Sequence, residues 1–380
     1  MDLICFCHIR WNFVYQRPQH LMSRFSNYQR VFFIEEPVFE PGENFFMEVN
    51  KENDNLWIVI PHLSKNGNPD EIIFQQKILL SAFYDEKEIK DYVHWYYTPM
   101  ALSISNHLQP SLVIYDCMDE LSNFKFAPVE LKQKEKELFR IADLVFTGGY
   151  NLYEAKKNAH ANIFPFPSSI DKEHFMKARS ITNEPEDQAV LSHPVFGFYG
   201  VIDERFDINL LQEVAFRKPE WNFVIIGPVI KIDPAVLPRL QNIHYLGPKK
   251  YEQLPSYLAG WDVAVIPFLL NDSTKYISPT KTPEYLAAGV PVISSSIVDV
   301  VNPYAINNLI HIADDAADFI MAGEKELASA DKKSWMKRVD FFLNGNSWDV
   351  TWKQMMHHIN STLMHKKGSS TAITKEGAYV

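Results

Sequence analysis

The chain is poor in cysteine, carries no excess of basic residues and has no long apolar run, and each shortage removes a class of protein. Its only cysteines, Cys5, Cys7 and Cys117, lie in apolar stretches without zinc or CxxC spacing. They read as reduced core residues of an intracellular, cytoplasmic protein. Lysine and arginine number 37 against 47 acidic residues, a formal charge of −10, which argues against a nucleic-acid binder, whose affinity comes from neutralising phosphates. No stretch approaches the roughly 20 apolar residues of a membrane helix, so membrane contact is expected to be peripheral at most, at the inner face of the cell membrane. The opening MDLICFCHIRWNF has neither the basic flank nor the cleavage site of a secretion signal. No GxGxxG follows a strand, which disfavours an NAD-dependent oxidoreductase.

What is present is an ordinary globular composition, 46% hydrophobic and 22% charged over 380 residues, enough for two α/β domains. In the first half, DLICFCHI, RVFFIEE, LWIVIPHL, SLVIYDC and DLVFTGG alternate with helical patterns near 70–92, 130–141 and 150–159, a βαβ rhythm that predicts a mostly parallel sheet. A polar, irregular stretch from Pro165 to His193 reads as a surface connection. A second series follows at VFGFYGV, NFVIIGP, IHYLG, DVAVIPF, VPVISS and LIHIA, with helices expected at 208–217, 251–259 and 283–288. The domains are set at 1–170 and 171–345, with a helix over 346–365 rejoining the first domain and a frayed tail over 366–380. Both are expected to be Rossmann-like and to face each other across a cleft lined by the loops after each strand.

The most informative segment is SPTKTPEYLAAGVPVIS, from Ser278 to Ser294. Pro283 lacks an N–H and suits only the first turn of a helix, which sets the helix start at Thr280 to Thr282. Gly289 closes the helix before a strand. The N–H groups of Lys281 and Thr282 then lie unpaired at the positive end of a helix dipole, a seat for a diphosphate. Lys281 adds a movable charge there, and Glu284 can accept two ribose hydroxyls. The plainer reading is that an acid in the first turn stabilises any helix.

EYLAAGVPV, Glu284 to Val292, resembles the donor site of retaining GT-B glycosyltransferases of the family 4 type. WNFVYQRPQHL, YDCMDE and ADLVFTGG resemble a subgroup of bacterial enzymes of teichuronic-acid and polysaccharide biosynthesis. The resemblance covers the chain to about Trp352 and implies a GT-B fold and transfer of a sugar, with retention, from a UDP- or GDP-sugar. The acceptor it implies is a hydroxyl of a glycan or lipid-linked glycan. By the same resemblance Glu284 holds the ribose. The family's second Glu, eight positions earlier, is here Tyr276, which leaves Asn271, Ser273 and Thr274 as substitute contacts for the transferred sugar. Gly200 and Arg205 match the glycine-ended strand and diphosphate-gripping base of the family, although Arg205 also suits a surface pair with Asp203 or Asp207. Gly247, Pro248 and Lys249 correspond to the nucleobase pocket, and Ser278, Pro279, Thr280 and Thr282 complete the donor set.

On the acceptor and catalytic side stand Gln16, Arg17, Asp116 and Asp119; for the two aspartates, loop capping is the competing reading. His8 reads as a core or rim histidine. The DxD pair of the other major glycosyltransferase fold is absent, DCMD having the wrong spacing, so neither metal nor cofactor is expected, and helix amides with Lys281 and Arg205 would neutralise the leaving group. Two other functions stay open: a sugar-nucleotide epimerase of the same architecture, and a decayed transferase acting as a partner in polysaccharide assembly.

Overall fold

The computed structural model describes residues 1–42 and 44–376. Its strands, in chain order, are β1 (Asp2–Cys7), β2 (Val31–Glu35), β3 (Val38–Glu40), β4 (Phe46–Asn53), β5 (Leu56–Ser64), β6 (Tyr92–Tyr96), β7 (Leu112–Cys117), β8 (Leu144–Thr147) and β9 (Ile163–Pro165). These make one sheet in the order β3-β5-β2-β1-β6-β7-β8-β9, parallel except where β4 pairs antiparallel with β5. A second, parallel sheet contains β10 (Val195–Tyr199), β11 (Asn222–Ile226), β12 (Ile243–Gly247), β13 (Val263–Ile266), β14 (Val292–Ser294) and β15 (His311–Ile312), in the order β12-β11-β10-β13-β14-β15. Among the described residues, then, a mostly parallel and a parallel sheet each carry their own apolar cores. The architecture is GT-B, with two Rossmann-like domains across a cleft.

The central strands β1, β10 and β13 are buried at every position, as parallel strands covered by helices on both faces must be. Their partners are in register, Leu3 lying between Val31 and Val93, so the carboxyl ends of the strands emerge together. Loops leaving those ends therefore converge on one rim of each sheet.

Three sequence expectations need correction. The helical pattern expected over 70–92 ends at Glu86; Glu88 takes a left-handed φ of 51°, and YVHWY becomes the wholly buried β6, since bulky aromatics suit a pleated surface. The stretch from Pro165 to His193 is more than a surface strap: Ile170, Phe175 and Ala178 belong to the second core. Gln188 is fully buried there, its amide donating to the Tyr257 carbonyl at 3.0 Å and accepting from Trp261 Nε1 at 2.9 Å. Polar residues bonded inward imitate a loop in sequence. The tail expected over 366–380 is instead helical as far as Glu376, at the end of a helix that begins at Trp348; residues 377–380 lie outside those described. Trp348, Met355 and Ile359 bury into the core of the first sheet, so this helix crosses back over the first domain.

Among the described residues no helix is long and apolar enough to cross a membrane.

Candidate active site

The loops at the carboxyl ends of both sheets enclose a cleft of about 720 Å³, a size that takes a ligand of several hundred daltons. The second domain supplies its wall through the loops after β10, β11, β12 and β13 and through the helix Lys281–Ala288; the first supplies residues 11–17 after β1, Met118 and Asp119 after β7, Gly148 after β8 and Ser168 after β9. Hydrogen bonds join the two domains. The Asn123 amide donates to the Asp272 carbonyl at 3.0 Å, the Asn151 backbone N–H to Asp299 Oδ1 at 3.0 Å, and the Ser168 N–H to Ser278 Oγ at 3.3 Å.

The Lys281–Ala288 helix starts where Pro283 requires and ends at Gly289, whose φ of 85° closes it in the left-handed region. Ser278, Pro279, Thr280, Lys281 and Glu284 all line the cleft. The Lys281 N–H has no hydrogen-bond partner among the described residues. The Thr282 N–H, expected free, instead makes a long 3.4 Å bond to the Pro279 carbonyl, and Thr282 is buried behind the wall, its hydroxyl unpartnered among the described residues.

Lys281 is more restrained than a free surface charge. Its ammonium lies 5.6 Å from the centre of the Phe198 ring and 5.7 Å from that of Phe268. Burial, then the neighbouring Arg205, pull its pKa down to about 8, while Glu284 opposes them. Gly200 makes room for it: with φ at 139°, a Cβ there would stand 2.3 Å from Lys281 Cε. Glu284 is 3% exposed. Burial lifts its pKa to about 7, against the opposing effects of a hydrogen bond from Tyr199 and the charge of Lys281.

Arg205 lines the cleft but forms the alternative pair anticipated from sequence, gripping Asp203 with Nε and Nη2 at 2.9 and 2.7 Å. The Phe124 ring lies 5.2 Å from its guanidinium. Arg17 reaches the wall edge-on, 4% exposed. Its Nη2 and Nε bond Asp116 at 2.8 and 3.0 Å, and its Nη1 bonds the Phe166 carbonyl at 2.6 Å. Asp116 is therefore not brought to the cleft; it is fully buried beneath Arg17 and neutralises it. Asp119 does line the cleft, and burial raises its carboxyl to about 6 in spite of Arg205 and Arg17 nearby.

Gln16, Gly200, Pro248 and Lys249 also line the cleft, whereas Gly247 does not. The proposed substitutes for the missing Glu lie outside it as well. Asn271, Ser273 and Thr274 bond one another: the Asn271 N–H donates to Thr274 Oγ1 at 3.0 Å and the Ser273 hydroxyl to Asn271 Oδ1 at 2.6 Å. Their hydroxyls cap their own turn. Tyr276 packs instead against the core of the first domain. His8 does not line the cleft, and burial lowers its pKa to about 4, which keeps it neutral.

Three contributors had not been singled out from sequence. Tyr199, at the end of β10, donates to Glu284. Tyr251 stacks on Tyr15 across the cleft with ring centres 4.6 Å apart. Trp11, Phe13 and Tyr15 form an aromatic wall, whose only advance sign was the density of rings in WNFVY. Among the described residues no group of three His, Cys, Asp or Glu side chains converges as a metal site requires.

The family model described as glycosyl transferases group 1 matches residues 193–342, the span of the second sheet. The teichuronic acid biosynthesis glycosyltransferase TuaH of Bacillus subtilis (strain 168) is 25% identical over 286 residues, 70% of each chain. Among solved structures, the E. coli trehalose-6-phosphate protein bound with UDP-2-fluoro glucose superposes with a TM-score of 0.68 at 12% identity, covering 96% of this chain and 99% of its own. Anabaena HepE in complex with UDP and glucose superposes with a TM-score of 0.68 at 13% identity over 94% of this chain and 99% of its own. The chain is similar to GT-B glycosyltransferases along its length.

Proposed function

We propose that this protein is a glycosyltransferase that takes a sugar from a nucleotide-diphosphate sugar, UDP-linked by preference, and passes it with retention to a hydroxyl of a glycan or lipid-linked glycan. The observation that carries the reading is one helical turn. The free amide of Lys281, its ammonium and the Glu284 carboxylate all face the cleft at the carboxyl ends of the second sheet. An amide and a cation at a helix N-terminus suit a diphosphate, and a buried carboxylate suits a ribose diol. The UDP bound by both solved neighbours supports uridine, and the matched TuaH supports an acceptor in cell-envelope polysaccharide.

In this reading the bond from the sugar's anomeric carbon to the diphosphate oxygen breaks while a bond to the acceptor oxygen forms on the same face. The acceptor proton passes to the departing phosphate, and the nucleoside diphosphate leaves. Lys281, with Arg205 once released from Asp203, offsets the charge that develops on the leaving group; no metal or cofactor is assigned a role. Asp119 stands on the opposite wall, where a carboxylate near pKa 6 can orient the acceptor hydroxyl.

The test is to incubate the protein with UDP-, GDP-, ADP- and dTDP-sugars and follow nucleotide release and sugar identity. Slow release of UDP from a UDP-sugar is expected. An isomerised sugar would mean an epimerase, and absence of binding would mean a non-catalytic partner.

A further inference from the structure

The loop Trp11–Arg17 presents two aromatic rings to the cleft, Phe13 at 41% and Tyr15 at 36% exposure. A lone exposed ring needs no explanation. Two of them in a concave wall, flanked by the side-chain amides of Asn12 and Gln16, have the make-up of a ligand site: apolar surface with a few polar groups to fix orientation. The loop is held rigidly from behind. The Trp11 N–H donates to Glu35 Oε1 at 2.7 Å, its carbonyl accepts from Gln19 Nε2 at 2.9 Å, and its ring meets Phe33 edge-on. Tyr15 is braced further by Tyr251, whereas Phe13 has no ring partner among the described residues.

Charge narrows the occupant. Among the described first-domain residues lining the cleft, Arg17 is the single cation, and its guanidinium is spent on Asp116 and the Phe166 carbonyl. The other charges on that wall are the carboxylates of Glu52 and Asp119. The remaining cations of the cleft belong to the second domain: Arg205 and Lys281 flank the proposed diphosphate seat, Lys249 is paired with Asp187 at 2.6 Å, and Lys250 shares its stretch of wall with Glu252. A phosphate or carboxylate on the accepting sugar would meet like charge on the first-domain wall and no free donor of positive charge.

We infer that Phe13, with Asn12 and Gln16, forms a subsite for an uncharged pyranoside, so that the accepting sugar residue carries neither phosphate nor carboxylate. The C–H face of the ring lies on Phe13, and its hydroxyls bond the two amides and Glu52. This inference rests on the transferase reading and names the substrate class of that same site.

The experiment measures saturation transfer from the full-length protein to methyl hexopyranosides and to the matching hexose 6-phosphates, with UDP present, for wild type, Phe13→Ala and Phe13→Trp. UDP affinity is measured in parallel. Neutral glycosides are expected to bind wild type and Phe13→Trp, to weaken about tenfold in Phe13→Ala, and to bind better than the 6-phosphates, with UDP affinity equal in all three proteins. Tighter binding of the phosphates, no binding of any neutral glycoside, or equal binding to Phe13→Ala would overturn the subsite while leaving the transferase reading intact. Failure of UDP to bind wild type would instead remove the reading beneath it.

Discussion

The Tyr199 hydroxyl donates a 2.5 Å hydrogen bond to Glu284 Oε2, tying the end of β10 to the first turn of the helix that faces the cleft. Both side chains are almost fully buried. The bond favours the ionised carboxylate and works against the burial that lifts Glu284 to about 7. Tyr199→Phe removes it, so the Glu284 pKa rises further. The affinity for UDP, which in the proposed function uses the carboxylate as hydrogen-bond acceptor, is expected to fall several-fold at pH 7 and to recover toward pH 8. Calorimetric titration of UDP across that range checks it; a loss equal at every pH would point to a structural defect alone.

In the proposed function Lys281 sets the alkaline limit of UDP binding. Its pKa in the fold is lowered from 10.5 to about 8, so its contribution to the stability of the free protein is fully present above the unfolded value and is lost as pH falls through about 8. Binding runs the opposite way, since a diphosphate favours the protonated ammonium. UDP affinity is expected to decline as pH rises past 8 in wild type. In Lys281→Arg, which stays charged, that decline should disappear.

The buried pair of Arg17 and Asp116 predicts a folding phenotype. Asp116→Asn leaves a guanidinium buried without its counter-charge, at a cost of about 3–5 kcal/mol. Thermal unfolding should show a fall on the order of 10 °C, and the loss of activity should track the loss of folded protein.

Asp119 predicts the converse. It lines the cleft with a carboxyl raised to about 6, so Asp119→Asn should leave UDP affinity and melting temperature near wild type while lowering kcat by roughly a hundredfold. The acidic limb of the wild-type kcat profile near pH 6 should vanish with it, which a pH series of steady-state rates can check.

The parallel sheets were legible because buried strands leave continuous apolar runs, as in FVIIG and VAVIPF, and because a proline in a first turn announces a helix start, as Pro283 does. The small strands β3 and β9 were not, since three residues carry too little pattern, and β6 was hidden by an aromatic sequence abutting a real helix. At the site, one segment of sequence pointed to Ser278, Pro279, Thr280, Lys281 and Glu284, and all five line the cleft. The partners that tune the site could not be read that way: Tyr199 lies 85 positions from Glu284, and Asp116 lies 99 from Arg17. Residue type left Arg205 open to a pair with Asp203 or Asp207, and Asp116 to capping a loop. The fold shows that Arg17 and Arg205 both line the cleft, each tied to an aspartate, and that Asp116 lies buried behind Arg17.

Calorimetric titration of UDP into wild type, Lys281→Met and Glu284→Gln at pH 7.5 tests the assignment of that helical turn most directly. Wild type should bind, and each variant should bind at least about tenfold more weakly, as expected for a lost hydrogen bond to a charged group, with melting temperatures unchanged. Equal affinity in all three proteins, or no UDP binding by wild type, would contradict it.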